Sequence, residues 1–164
     1  MCPLRQLRRR GKLSSLHPYR YWEEDGQYFF NTPSGAQYVA YFLELPFAKN
    51  LYTFNFDKLH LGTHGVVDVY VCDTICTILA IFFQKHQDSM LVACDSSDGR
   101  EAARMRLFES WYKRLAPEEL KKIDRSGQAE EYRLFLSLFV WDDNPDKDRL
   151  IAIMDQYCRD LLDH

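Results

Sequence analysis

The chain has 164 residues, of which 46% are apolar and 27% charged, and its formal net charge is −3. This length suits one domain whose core buries roughly two thirds of the surface that the unfolded chain exposes. The composition excludes disorder of the whole chain, and the negative charge gives no general attraction to nucleic-acid phosphates. Any nucleic-acid binding would therefore come from a local basic patch.

The first 16 residues are predicted to form a basic arm ahead of the folded domain. The arm contains no acidic residue and five basic ones, Arg5, Arg8, Arg9, Arg10 and Lys12. It lacks the apolar segment of a signal peptide, and no apolar run elsewhere approaches the roughly 20 residues of a membrane span. We expect a solvated extension, with nucleic-acid binding through this arm as the alternative. Residues 17–164 are predicted to form a single α+β domain.

The five cysteines are odd in number and widely spaced, which is typical of free thiols in a reducing compartment. Four of them lie in apolar runs and are predicted to be buried: Cys72, Cys76, Cys94 and Cys158. Cys72 and Cys76 lie four residues apart, but no second pair of metal ligands accompanies them. We therefore expect a cytoplasmic protein without a metal or cofactor.

Residues 19–57 show the alternation and the turns of a four-stranded antiparallel meander. Asp25-Gly26 is a tight hairpin signal, and the segment Asn31–Gly35 predicts a second turn. The run Ala36–Leu45 predicts a longer strand closed by Pro46, and Leu51–Phe56 predicts a fourth. More than half of the chain's aromatic residues fall in this meander.

One face of the meander is expected to pack on helices, and the other to carry exposed aromatic rings. Tyr19, Tyr21 and Trp22 are the candidates for a surface that binds a protein partner. With Arg20 they could also stack on single-stranded nucleic acid, but the flanking strands carry as many acids as bases. Aromatic residues favour strands for packing reasons alone, so a purely structural role stays open.

A mostly buried helix is predicted from Val66 to Lys85, where apolar residues recur at helical spacing. The glycines of the preceding segment Gly62–Gly65 break the chain between His60 and His64, which argues against a zinc pair. A short apolar strand, Met90–Cys94, follows the helix. The order strand, helix, strand predicts a parallel crossover and hence a mixed sheet.

The turn after this strand is the candidate ligand site, because it leads into the N-terminus of a helix predicted over Gly99–Leu115. The residues that could face an anionic ligand there are Asp95, Ser96, Ser97, Asp98, Arg100 and Arg104. Helix capping and pairing of the arginines with nearby acids explain the same residues without a ligand. The turn matches neither a nucleophile elbow nor a phosphate-binding loop. The sequence therefore favours a non-enzymatic protein.

The C-terminal third predicts a short helix over Pro117–Asp124 and a last strand, Glu131–Trp141, that is apolar on both faces. A closing helix is predicted with Asn144 as its N-cap and Pro145 as its first residue. The acids that follow Trp141 lack the glycine and glutamate of a calcium loop. The expected fold is α+β: a mixed, mainly antiparallel sheet with an N-terminal four-stranded meander, packed by three main helices.

Two segments of the chain together resemble an uncharacterised family of small bacterial proteins, a domain of unknown function. They are HPYRYWEEDGQYFFNTPSGAQYVAYF near the start and VACDSSDGREAARMRLFESWY in the middle. The resemblance covers about Tyr19–Leu162 and implies a bacterial cytoplasmic protein with no established activity, so it assigns no catalytic or binding residue.

Small size, acidic balance and the lack of a catalytic motif favour a protein-interaction module, such as an antitoxin, immunity or defence accessory protein. The alternative is a protein that binds an anion or small ligand, or a hydrolase, at the strand-turn-helix junction of residues 94–104. Absence of an exposed aromatic or apolar patch would count against the first hypothesis. Burial of the arginines in ion pairs would count against the second.

Overall fold

The computed structural model describes residues 16–60, 69–95 and 101–163 of the chain. In chain order the elements are β1 (Tyr21–Glu24), β2 (Gln27–Asn31), β3 (Gln37–Glu44), β4 (Leu51–His60), α1 (Val69–Phe82), β5 (Ser89–Asp95), α2 (Glu101–Leu115), β6 (Leu120–Ala129), β7 (Tyr132–Trp141) and α3 (Lys147–Leu162).

The strands form one seven-stranded sheet in the order β1-β2-β3-β4-β5-β7-β6. The first four strands are a meander, and β4 and β5 are parallel neighbours joined through α1. Strand β7 pairs antiparallel with both β5 and β6. The predicted fold class and the predicted parallel crossover are thereby confirmed.

The hairpin predicted at Asp25-Gly26 is present between β1 and β2. Both residues have positive φ, 50° and 78°, and the flanking residues Glu24 and Gln27 are paired. Two left-handed residues in a two-residue loop make a type I′ turn, whose twist matches that of the strands. Glycine adopts this conformation without steric cost, and aspartate tolerates it.

By its contacts the chain divides into two compact units, the first of which takes residues up to Leu43 and from Phe54 to Lys85. In this unit aromatic rings from neighbouring strands stack. The ring centroid of Tyr38 lies 5.2 Å from that of Phe30 and 5.1 Å from that of Phe56. Helix α1 packs on the same face through Phe82, whose ring stacks on Phe42 at 4.2 Å.

The segment before β1 is tied to α1 by its backbone. The His17 N–H donates to Asp73 Oδ2 at 3.0 Å, and the Tyr19 N–H donates to Thr74 Oγ1 at 2.8 Å. Leu16 is buried, so the described part of the N-terminus contributes to the core of this unit. The basic residues of the predicted arm lie outside the described residues, so the boundary between the arm and the domain stays a prediction.

The second unit takes Glu44–Thr53 and the residues from His86 onward. Alternate side chains of β7 enter two different layers of its core, as expected for a strand that is apolar on both faces. One set packs with α3 in a cluster that includes Leu134, Leu136, Leu138, Val140, Leu150 and Met154. On the other face Phe139 contacts the rings of Phe108, Trp111 and Tyr112 from α2.

The prediction of a helix over Pro117–Asp124 is wrong, because Leu120–Ala129 forms the edge strand β6. Each of its ten residues is paired with a residue of β7 in an unbroken antiparallel register. Glutamate and lysine favour a helix locally, but a ten-residue ladder with a buried neighbour outweighs that weak preference.

The closing helix α3 begins at Lys147, two residues later than predicted, and Asp146 takes the N-cap position without a side-chain hydrogen bond. Asn144 is buried instead of capping the helix. Its Oδ1 accepts from the Asp146 N–H at 2.9 Å, and its Nδ2 donates to Ser89 Oγ at 3.2 Å. Asn144 therefore holds the turn between β7 and α3 and ties it to the start of β5.

We expect Asn144→Ala to lower the free energy of unfolding by about 1 kcal/mol, because two hydrogen bonds of a buried side chain are lost. Urea unfolding followed by circular dichroism measures the change. Asp148→Ala, an exposed position on the same helix, is the control. Equal effects of the alanine variants would contradict the role of Asn144.

No disulfide bond joins the described cysteines. Cys76 and Cys94 are buried as predicted, whereas Cys72 and Cys158 are only half-buried. Helix α1 ends at Phe82, three residues before the predicted end. Cys2, His64 and the glycines of the predicted break lie outside the described residues.

Candidate protein-interaction site

The three residues predicted for a partner surface lie on β1 or just before it, and the structure divides them between two faces. Trp22 is 37% exposed and stacks on Phe29 of β2, with ring centroids 5.9 Å apart. Tyr19 contacts Tyr70 of α1 at 5.7 Å. Because side chains alternate along a strand, Tyr21 lies on the side of Tyr19, and Trp22 lies on the side of Arg20.

An open cavity of about 600 Å³ lies beside the start of β1. We call it the aromatic cavity, and its lining residues are Tyr19, Arg20, Trp22, Asn31, Thr32 and Pro33. Its volume falls within the range of roughly 300–1,000 Å³ that is usual for binding pockets. The lining residues are two aromatic residues, a proline, an arginine, an asparagine and a threonine.

A tight turn positions one side of the aromatic cavity. The Thr32 N–H donates to the Ala36 carbonyl at 2.9 Å, and the Gly35 N–H donates to the Thr32 carbonyl at 3.0 Å. The hydroxyls of Thr32 and Ser34 also share a hydrogen bond of 2.8 Å. Gly35 has φ 83°, a conformation that favours glycine. The predicted Asn31–Gly35 turn thus holds Pro33 at the rim of the cavity.

Two tyrosines of the meander have raised pKa values. Burial raises the pKa of Tyr28, and the charge of Glu23 adds to the effect. The pKa of Tyr52 is raised to about 12. Burial is the largest cause, and a hydrogen bond to Glu44 and the negative charge of Asp88 raise the pKa further. Both phenols therefore stay neutral near pH 7 and can donate hydrogen bonds.

The predicted ligand site at the strand-turn-helix junction is described only at its two ends. Strand β5 ends at Asp95 and α2 begins at Glu101, with Arg104 exposed one turn into the helix. Ser96, Ser97, Asp98 and Arg100 lie outside the described residues. The ligand site at this junction therefore stays a prediction.

A small groove of about 180 Å³ lies beside the described start of α2. Its lining residues are Met105, Asp124, Arg125, Ser126, Phe135, Leu136 and Ser137. This volume is below the usual range for small-molecule pockets. The groove is therefore a weaker candidate for binding than the aromatic cavity.

An ion-pair network that the sequence did not reveal centres on Lys122 of β6, whose side chain is only 10% exposed. Its Nζ lies 2.9 Å from Glu109 Oε2 and 2.7 Å from Asp124 Oδ2. Ser137 Oγ donates to Asp124 Oδ1 at 2.6 Å. The residues come from α2, β6 and β7, so no local sequence pattern could indicate the network.

The charges of this network argue against catalysis. Burial acts to lower the pKa of Lys122, but hydrogen bonds to Asp124 and Glu109 outweigh it and raise the pKa. Burial acts to raise the pKa of Asp124, but Lys122 and Ser137 outweigh it and lower the pKa. A lysine held protonated cannot serve as a base, and a carboxylate with a lowered pKa is a poor base for Ser137. The network is therefore structural.

A second feature missed from the sequence joins His86 to Asp143, which lie 57 residues apart in the chain. His86 Nδ1 lies 3.0 Å from Asp143 Oδ2, and the imidazole stacks on the Trp141 ring at 3.9 Å with an interplanar angle of 2°. Such a carboxylate orients a histidine in catalytic and metal sites. In the described part of the chain, however, no group of three or more His, Cys, Asp or Glu side chains could hold a metal ion.

Within residues 16–60, 69–95 and 101–163, no helix combines the length and the apolar character needed to cross a bilayer. Among the helices as far as the structure describes them, α3 is the longest, with 16 residues, and it carries several charged side chains.

Comparison with known proteins gives one match. No curated protein and no solved structure matches the chain significantly. The sequence profile of one family of unknown function, DUF6169, matches residues 67–158, which is more than half of the chain. The matched segment begins after β4 and ends within α3, so it is shorter than the segment Tyr19–Leu162 expected from the resemblance, and the meander lies before it. The protein is a member of this family, DUF6169, whose function is unknown.

Proposed function

We propose that this protein is an interaction module that binds a partner protein through the aromatic cavity. The observation that carries the proposal is the open cavity of about 600 Å³ beside an exposed tryptophan. Tryptophan, tyrosine and arginine dominate the energetics of protein interfaces, and all three types line this cavity. An antitoxin, an immunity protein and a defence accessory protein each need such a surface.

The lining indicates the chemistry of the bound segment. The lining residues Tyr19, Trp22 and Pro33 are largely apolar, which suits an apolar side chain of a partner. The Arg20 guanidinium and the Asn31 amide can donate hydrogen bonds to backbone carbonyls of the same segment. An apolar side chain on an extended segment of another protein is therefore the expected occupant.

Single-stranded nucleic acid fits the aromatic cavity less well. The next residues of the hairpin, Glu23, Glu24 and Asp25, are all exposed acids. A nucleic-acid strand that stacked on Trp22 would bring its phosphates near these carboxylates, with Arg20 as the cation of the cavity lining. The local charge therefore favours a protein partner.

Anion binding or hydrolysis at the Asp95–Arg104 junction is the less favoured function. The observation in its favour is that β5 ends at Asp95 and α2 begins at Glu101, so the residues between them precede a helix N-terminus. The groove beside that helix holds only about 180 Å³, and the nearby Lys122 is engaged by two carboxylates. The geometry of the described residues therefore supports the aromatic cavity better.

The proposal is tested by site-specific photocrosslinking in the native host. A benzophenone amino acid replaces Asn31 in the aromatic cavity, or Leu43, which is 52% exposed and lies outside the cavity, as the control. We expect the Asn31 probe to give an adduct with one other protein, identified by mass spectrometry, that the Leu43 probe does not give.

The identified protein is then purified and titrated by calorimetry. We expect Trp22→Ala to weaken its affinity by roughly 30-fold, because the central aromatic side chain of an interface is lost. Leu43→Ala should change the affinity less than about threefold, because Leu43 lies outside the proposed contact. The proposal fails if the two crosslinking positions give the same adducts, or if Trp22→Ala binds like the wild type.

A further inference from the structure

Among the described residues, strand β1 is one end of the seven-stranded sheet and pairs only with β2. The type I′ turn makes its flanking pair Glu24 and Gln27 a hydrogen-bonded pair, so Trp22 and Phe29 form the next such pair. The N–H and C=O groups of Tyr21 and Glu23 consequently point away from β2. Among the described residues, no hydrogen bond reaches these four groups on the outer side.

The opposite edge of the sheet differs, because side chains of its own unit occupy two of its outward carbonyls. On β6, the Tyr112 hydroxyl donates to the Leu120 carbonyl at 3.0 Å. Arg125 Nη1 donates to the Asp124 carbonyl at 3.0 Å. These hydrogen bonds satisfy part of the outer edge of β6. The edge of β1 carries no comparable protection within the described residues.

We propose that β1 pairs antiparallel with β1 of a second copy of this chain, about a two-fold axis at Trp22. In this register Tyr21 of one copy faces Glu23 of the other, and each of these two pairs forms two backbone hydrogen bonds. The two Trp22 residues meet in the non-hydrogen-bonded position between them, where side chains approach most closely. The proposal goes beyond the proposed function, because it concerns pairing along the backbone edge of β1, although Arg20 and Trp22 also line the aromatic cavity.

The charges of Arg20, which directly precedes β1, and of Glu24, at its end, are complementary across the two-fold axis in this register alone. Arg20 and Glu24 are both exposed and lie two residues on either side of Trp22. Across the two-fold axis Arg20 of each copy therefore faces Glu24 of the other. Opposite charges that face each other across a strand pair are stabilising, and like charges are destabilising. A shift by two residues would break both ion pairs, so the charges select the register.

Two consequences follow from the symmetry. Edge-to-edge antiparallel pairing keeps the same face of both sheets on one side, so the two aromatic cavities would open on one face of the dimer. A partner with two binding segments could then gain avidity from both cavities. A four-residue strand buries little area, so the dimer should be weak, with a dissociation constant in the micromolar range or above.

The test is sedimentation equilibrium of the purified full chain over a concentration series, with a charge-swap cycle. Arg20→Glu and Glu24→Arg should each raise the dimer dissociation constant by roughly tenfold or more, because two attractive pairs become repulsive. The double variant Arg20→Glu/Glu24→Arg restores opposite charges across the axis. Its dimer dissociation constant should therefore lie within about threefold of the wild-type value. Circular dichroism confirms that each variant folds.

Glu23→Arg is the matched control, because it makes the same charge change one residue away on the other face of β1. Combined with Arg20→Glu it should show no rescue. A chain that stays monomeric up to about 1 mM, or a dimer whose affinity shows no coupling between positions 20 and 24, overturns the proposal. The sedimentation measurement needs no other protein. The dimer can therefore be confirmed even if crosslinking at Asn31 finds no partner, and a partner can be found even if the chain is monomeric.

Discussion

Phe139→Ala should lower the free energy of unfolding by about 3–5 kcal/mol, the largest effect that we expect from a single substitution. Phe139 is fully buried on β7, and its ring contacts Trp111 at 5.6 Å, Tyr112 at 6.0 Å and Phe108 at 6.2 Å. Removing the ring leaves a cavity between the sheet and α2 that these large neighbours cannot fill. Urea unfolding followed by tryptophan fluorescence measures the loss.

This loss is a large part of the roughly 5–15 kcal/mol that stabilises a typical domain. The control is Leu43→Ala, which removes an apolar side chain that is already 52% exposed and should cost less than about 1 kcal/mol. A loss below 1 kcal/mol in Phe139→Ala would show that α2 does not depend on this contact with β7.

Lys122→Met should destabilise the protein by about 2 kcal/mol near pH 7, because one buried ammonium group bonds two carboxylates. This loss of unfolding free energy is smaller than for a fully buried ion pair, because the side chains of Glu109 and Asp124 are 45% and 60% exposed. Lys113→Met, which removes an exposed partner of Glu109, is the control and should cost less than about 0.5 kcal/mol.

The effect of Lys122→Met should depend on pH in a defined direction. Lys122 lowers the pKa of Glu109 below the reference value of 4.5, and the network lowers that of Asp124 below 3.8. Their contribution is therefore present above these reference values and is lost as the pH falls through the lower values of the folded state. The raised pKa of Lys122 makes its contribution complete below 10.5 and lost as the pH rises through the folded value.

The difference in unfolding free energy between wild type and Lys122→Met should thus be constant from about pH 5 to pH 10 and shrink on either side. Urea titrations at pH 3, 5, 7 and 9 test the acid side. A difference that stays constant or grows at the lowest pH would mean that the network does not hold its carboxylates ionised.

Local signals sufficed for the elements whose side-chain period or turn chemistry is unambiguous. Asp25-Gly26 allows two left-handed residues in sequence, so the β1–β2 hairpin could be predicted from two letters. The apolar faces of β7 and the helical spacing in α1 were equally direct. The prediction for the start of Leu120–Ala129 was wrong because the charged residues of this segment favour a helix locally. The strand that pairs with it comes from a later part of the chain.

The candidate site was predicted in part. Tyr19 and Trp22, which were chosen from the sequence as aromatic residues beside Arg20, line the aromatic cavity, and their role in binding stays a prediction. Tyr21, which lies on the same side of the strand as Tyr19, is not among the lining residues. Asn31 and Pro33 join the cavity only because β2 returns beside β1, which composition alone does not reveal.

The sequence by itself determined the α+β class, the meander, the hairpin turn and the aromatic character of β1, because these depend on period, turn residues and composition over short spans. The tertiary structure alone decided which residues meet: Lys122 with Glu109, His86 with Asp143, and Arg20 with Asn31 beside one cavity. Such contacts join residues distant in the chain, and their geometry follows from strand order and register. No local pattern encodes that order, since it results from the packing of the whole sheet.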